Sequence, residues 1–164
     1  MVPYYQGRRE PMLKISKLTD YGTVVLAQLA SETDAVMSAA DVAAATGIAL
    51  PTVSKLLKLL ARARLVNSTR GASGGYRLSR SPAEISAADV IDALEGPVSI
   101  TECSGEHSNC DYETVCSVAG SWQRINDAIR HALQDVSLLD LLRANRPLPR
   151  FKFAGLPISI ENKT

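Results

Sequence analysis

Apolar positions recur every three or four residues through most of this chain, and wherever that period holds it predicts helix. Leu18, Tyr21, Val25 and Leu29 form the first such series, with Thr19 and Asp20 in its opening turn. In the stretch SAADVAAATG, Ser38 and Asp41 stand in capping-box positions and Gly47 marks an end, which predicts a helix of about two turns. LPTVSKLLKLLARARL follows, opened by Pro51, a residue suited to the first helical turn. Its apolar stripe is Val53, Leu56, Leu57 and Leu60, while Thr52, Lys55, Lys58 and Arg62 fall largely off it.

Two helices joined by a tight turn, the second with hydroxyl and basic side chains outward, form the helix-turn-helix pattern. LVNST and YRLS then read as short strands joined by RGASGG, whose glycines permit a hairpin, so a wing is expected. ISAADVIDALEGP repeats the capping logic with Ser86 and Asp89, packs through Val90, Ile91 and Leu94, and stops at Gly96-Pro97. SVAGSWQRINDAIRHALQDV carries Val118, Trp122, Ile125, Ile129, Leu133 and Val136 along one side of a helix of roughly five turns. Such a stripe outside a compact winged helix wants a partner helix. Trp122, Ile125, Ile129 and Leu133 are expected to pair two copies into a homodimer, packing of the helix onto its own domain being the alternative.

The expected fold is mainly α: a winged helix-turn-helix DNA-binding domain with a small β-hairpin wing and a long C-terminal dimerisation helix. Residues 1–11 read as an N-terminal extension, 12–96 as the DNA-binding domain and 97–117 as a cysteine loop. Residues 118–143 hold the dimerisation helix and a short last helix from Ser137, and 144–164 read as a loose tail.

Charge sharpens this picture. Residues 1–81 contain eleven Lys or Arg against five Asp or Glu, and residues 82–164 contain seven against twelve. No acidic residue lies between Val42 and Ala83, yet Lys55, Lys58, Arg62, Arg64, Arg70, Arg77 and Arg80 do, which suits a polyanion. The helix opened by Pro51 is expected in the major groove of double-stranded operator DNA, with Arg70 and Ser73 of the wing reaching the minor groove or its phosphates. Ser38, Pro51, Thr52, Ser54, Lys55 and Lys58 complete the candidate contacts. No run approaches the roughly 18 apolar residues of a membrane span, and no stretch reads as a secretory signal. A cytoplasmic location is expected, with no membrane and no small-molecule substrate as partner.

All three cysteines lie in TECSGEHSNCDYETVCSV. Cys103 and Cys110 are separated by six residues and Cys110 and Cys116 by five, whereas zinc sites usually bring ligands in pairs two to four residues apart. Soft thiolates also suit iron-sulfur clusters, whose fourth ligand can be nitrogen or oxygen. His107, Glu102, Glu106, Asp111 and Glu113 are near enough in sequence to supply it. His131 reads as a surface or packing residue. A zinc-structured or thiol-redox winged-helix protein is the alternative. A cysteine enzyme using Cys110 or Cys116 would need a positioned base, and only His107 is nearby, so no enzyme is expected.

KISKLTDYG, TGIALPTVSKLLKLLARARLV, STRGASGGYRLS and ISAADVIDALEGPV, with three cysteines ahead of a Trp-containing helix, together resemble the IscR-like family over roughly residues 12 to 143. These are winged-helix bacterial transcriptional regulators that carry iron-sulfur clusters. RGxxGGY and TECSxEHxxC…C are the specific motifs, and the nearest branch is the regulator of the SUF iron-sulfur assembly system. The resemblance implies a homodimeric, cluster-sensing repressor of such genes. It implies ligation by Cys103, Cys110 and Cys116 of an iron-sulfur cluster, 2Fe-2S in preference to 4Fe-4S. One branch takes its fourth ligand from a histidine three residues after the last cysteine, where this chain has Ala119. The nitric-oxide-sensing branch uses a first-helix aspartate of the other protomer, which matches Asp20. Asp20 and His107 stand as equal candidates, and a plain first-turn carboxylate favoured by the helix dipole also explains Asp20. A nitric-oxide or redox sensor is the variant reading of function. The family's recognition-helix start matches Ala49, Leu50, Pro51 and Thr52, its wing arginine matches Arg70, and Ser54 stands where some members carry an acid.

Overall fold

The computed structural model describes residues 15–32, 35–71, 74–101 and 117–143, together with the backbone of 152–153 and 156–157. Helix α1 spans Lys17–Ser31, capped by the Ser16 hydroxyl, which accepts from the amides of Leu18 and Thr19. Its buried face is Thr19, Gly22, Val25, Leu26 and Leu29. Tyr21, expected on that face, is 41% exposed. The face turns because α1 meets a later helix at Gly22, a position that apolar periodicity ignores: a Cβ there would overlap Leu94 Cδ1.

Helix α2, Ala39–Thr46, has the expected capping box between Ser38 and Asp41 and ends at left-handed Gly47, whose amide donates to the Ala43 carbonyl. Helix α3, Leu50–Arg62, carries Pro51 in its first turn and buries Val53, Leu56, Leu57 and Leu60 completely. The two helices are bent 119° from one another, within the helix-turn-helix range. Strands β1 (Val66–Thr69) and β2 (Gly75–Leu78) pair antiparallel with Val66 opposite Leu78 and Thr69 opposite Gly75. Met37 extends this hairpin by a reciprocal pair of backbone bonds to Tyr76. The chain ahead of α2 thus closes the hairpin's outer edge, where exposed backbone would otherwise stay unpaired.

A three-residue 3₁₀ turn, Pro82–Glu84, leads to α4, Ala87–Glu95, capped by Ser86 and Asp89 as expected. Helix α5 spans Ala119–Gln134, slightly shorter than its apolar stripe suggests. Helix α6, Leu138–Leu142, starts from a further box, Ser137 with Asp140. The core gathers Val25, Leu26 and Leu29 of α1, the α3 stripe, Leu65, Val66, Ile85, Val90 and Leu94. Leu138 of α6 joins it fully buried.

Two backbone bonds clasp the end of the α5 segment to the start of α4: Ala87 N to Val136 O at 2.8 Å and Leu138 N to Ile85 O at 2.7 Å. The winged-helix core therefore draws on residues from both sides of the cysteine segment. In the C-terminal stretch expected as a loose tail, β3 (Lys152–Phe153) pairs antiparallel with β4 (Leu156–Pro157).

Candidate nucleic-acid interface

Because the α3 stripe is consumed by the core, the opposite ridge of the helix is set outward. Pro51, Lys55, Lys58 and Arg62 are exposed along it, and Thr52 and Ser54 are half-buried on its flanks. α3 contains no acidic residue. Ala49 caps it without any side-chain hydrogen bond. The cationic ridge therefore faces solvent along the length of α3, which favours an anionic partner.

Ser38 sits differently. Its hydroxyl donates to Asp41 Oδ2 at 2.7 Å and accepts from the Asp41 amide at 3.1 Å. That hydroxyl, with the Ser38 amide as second cause, holds the Asp41 carboxyl below its ordinary value. Its one proton is thus committed to the cap.

In the wing, Arg70 and Arg77 are exposed, and Gly71 takes φ 112° as the chain turns. Gly74 is tightly enclosed: a Cβ there would overlap the Thr69 carbonyl oxygen. Arg64, exposed at φ 59°, adds a further cation beside the hairpin, its carbonyl accepting from Ser79 Oγ at 2.6 Å. Ser73 lies outside the described residues. Arg62, Arg64 and Arg77 were visible as an acid-free basic run, but the run alone does not say which cations share a face.

Cys103, His107, Cys110 and Cys116 also lie outside the described residues, whereas both flanks of their segment are placed. The Ile100 amide donates to Asn126 Oδ1 of α5 at 3.3 Å, and Asn126 is 4% exposed. At the other end Ala119, the first residue of α5, is buried. The two flanks of residues 102–116 are therefore held on the same helix at points about two turns, roughly 10 Å, apart. α5 is tied in turn to α4 by Arg130 and Asp92 at 2.9 Å. Asn126 lies beside the apolar stripe rather than in it, and periodicity gives it no role.

Asp20 is exposed in the first turn of α1. Beside it, Glu95 at the end of α4 accepts from the Thr19 hydroxyl and from the Ser16 amide, tying the α1 start to the residue just ahead of the cysteine-bearing stretch. The Thr19 hydroxyl is the main cause of a lowered Glu95 pKa. Among the described residues no three His, Cys, Asp or Glu side chains converge as a metal site. His131 is exposed in the last turn of α5. On α5, Trp122 is 40% exposed and Val118, at its N-cap, 51%, while Ile125, Ile129 and Leu133 are half-buried. Among the described residues no single helix is long and apolar enough to cross a membrane.

Residues 15–144 match the Rrf2 family model, described as an iron-dependent transcriptional regulator. A putative helix-turn-helix transcriptional regulator, ORF2, of Azotobacter vinelandii is 40% identical over 65% of this chain and 64% of its own length, so the match leaves about a third of that relative uncovered. The transcriptional regulator IscR of Vibrio atlanticus is 31% identical over 75% of this chain and 70% of its own. Among solved structures, CymR, the global cysteine regulator of B. subtilis, superposes with a TM-score of 0.61 at 31% identity, over 82% of this chain and 99% of its own. IscR of T. potens gives 0.59 at 29% identity, over 82% and 89%. These relatives are named as regulators rather than enzymes, and the winged helix with its basic α3 and wing agrees with them. The chain is thus an IscR-like, DNA-binding member of the Rrf2 family of transcriptional regulators.

Proposed function

We propose that this chain is a cytoplasmic, homodimeric repressor that senses iron-sulfur status and controls iron-sulfur assembly genes of the SUF type. The observation that carries the reading is the anchoring of the cysteine segment: Asn126 holds its entry on α5, and Arg130 links α5 to α4 of the DNA-binding unit. A change within residues 102–116 would be transmitted to the angle between α5 and the wing, and so to the spacing of two α3 helices across a dimer.

The donor set fits a cluster. Cys103, Cys110 and Cys116 supply three soft thiolates, and Asp20 of a second copy or His107 supplies a harder fourth ligand. Bound there, a cluster supplies a charge and a geometry that respond to oxidants, nitric oxide or iron supply. The 2Fe-2S type is preferred. Trp122, Ile125, Ile129 and Leu133 pack on the same residues of the partner, Lys55 and Lys58 grip phosphates, Thr52 and Ser54 reach base edges, and Arg70 enters from the wing.

A second reading has one specific support. The fold matches the cysteine regulator CymR as well as it matches IscR, and fold does not choose between signals. On that reading the three thiols act by zinc binding or oxidation, and the protein is colourless. Anaerobic purification separates the two. Visible absorption with iron and acid-labile sulfide in near-equal amounts is expected, and zinc without iron would refute the cluster. DNA affinity unchanged on replacing all three cysteines by alanine would refute the coupling.

A further inference from the structure

Helix α3 opens on three consecutive apolar residues, its N-cap Ala49 followed by Leu50 and Pro51, and all three are exposed. Leu50 is 47% exposed, the highest value for any leucine among the described residues. It stands in solvent although the helix's own stripe, from Val53 onward, is buried completely. The side chains at this end bring no hydrogen-bonding group: Ala49 caps without one, and Pro51 lacks even its amide proton. Only further along do polar and charged groups appear, at Thr52, Ser54, Lys55 and Lys58. The exposed edge of α3 therefore has an apolar tip and a basic shaft.

In a helix-turn-helix protein the first residues of this helix are the ones that meet base edges. The major groove offers those residues donors, acceptors and a single apolar feature, the C5-methyl of thymine. A donor-free tip discriminates only through that feature. We propose that Leu50, flanked by Ala49 and Pro51, packs on a thymine methyl in each half-site and is a specificity-determining residue of this regulator. Ser54, one helical turn along the same edge, then faces the adjacent base pair. Lys55 and Lys58 hold the backbone without selecting sequence. The assignment rests on α3 being the recognition helix of a DNA-binding dimer.

The test uses full-length protein purified without air and a duplex recovered by selection from a random-sequence pool. Each thymine is replaced in turn by deoxyuracil, which removes the methyl and nothing else. One thymine per half-site should weaken binding about fourfold when replaced, the value of one buried methyl group. Leu50→Ala, which changes both protomers, should bind the thymine duplex about as weakly as the unaltered protein binds a duplex with deoxyuracil at that position in both half-sites, about sixteenfold down, with no further loss on the latter. Leu50→Met should keep the discrimination, and unchanged melting of both variants shows that they fold. If the unaltered protein ignores deoxyuracil at every position, or if Leu50→Ala still discriminates, the assignment is overturned while DNA binding stands. Recovery of no preferred sequence would overturn the recognition-helix reading and this assignment with it.

Discussion

The amide of Leu138 donates to the carbonyl of Ile85 at 2.7 Å, stitching the chain downstream of α5 to the residue that precedes the α4 cap. Leu138 is fully buried in the winged-helix core, so Leu138→Ala should cost about 2–5 kcal/mol of stability. Leu141→Ala, three residues on and 42% exposed, should cost far less. Urea unfolding of both variants checks this, and equal losses would remove Leu138 from the core.

Gly22 lets α1 and α4 approach. Gly22→Ala gains up to about 1 kcal/mol of helix propensity, but its methyl would overlap Leu94 Cδ1, and overpacking of this kind costs about 1–3 kcal/mol. The clash should win, lowering the melting temperature. Gly22→Ala combined with Leu94→Val should recover part of the loss relative to the sum of the single changes.

The Glu95 carboxylate, exposed but bonded to Thr19 and Ser16, has its pKa held below the ordinary glutamate value, chiefly by the Thr19 hydroxyl. A depressed folded pKa contributes stability that is fully present above the unfolded value, near pH ~4.3 for glutamate, and is lost as pH falls through the lower folded value. Glu95→Gln should therefore melt below the unaltered protein at pH 7, the gap closing only under acid conditions. Melting curves from pH 7 to 3 test this, and a constant gap contradicts it.

Trp122 and Val118 stand exposed at the start of α5, on the same apolar edge as the half-buried Ile125, Ile129 and Leu133. Trp122→Glu places a charge where a partner helix would desolvate it, and should convert a dimer to monomer with unchanged helix content. Sedimentation velocity and circular dichroism together read this. A persistent dimer would move the interface away from this edge of α5.

Lys55 and Arg70 should neutralise phosphates. Alanine at either position should weaken binding to every sequence by a similar factor. It should also flatten the plot of log affinity against log salt by about 0.9 for each phosphate left without its cation. An unchanged slope for both would displace DNA from this face.

Local chemistry made much of the architecture legible. Capping serines paired with acids three residues on, Gly47 after α2, Pro51 in the first turn of α3 and the spacing of Val53, Leu56, Leu57 and Leu60 each specify an element through contacts within one or two turns. The basic interface was legible for the same reason, since α3 buries the stripe its own spacing defines and must turn Lys55, Lys58 and Arg62 outward. Composition alone raises soft-ligand chemistry at Cys103, Cys110 and Cys116 as an expectation, and these residues lie outside the described ones.

The remaining placements depend on contacts between residues far apart in the chain. Gly22, with no side chain to enter a periodicity, sets which face of α1 is buried because Leu94 lies against it. Asn126 becomes the anchor of the cysteine segment because Ile100 presents its amide to it, and Leu138 becomes core because the strand-like clasp at Ile85 draws it in. Leu50 shows the converse: its spacing looks like that of any buried leucine, and only the packing of α1, α2 and α4 around α3 leaves it in solvent. Periodicity reports what a helix would like to bury; which residues find something to be buried against is a property of the assembled fold.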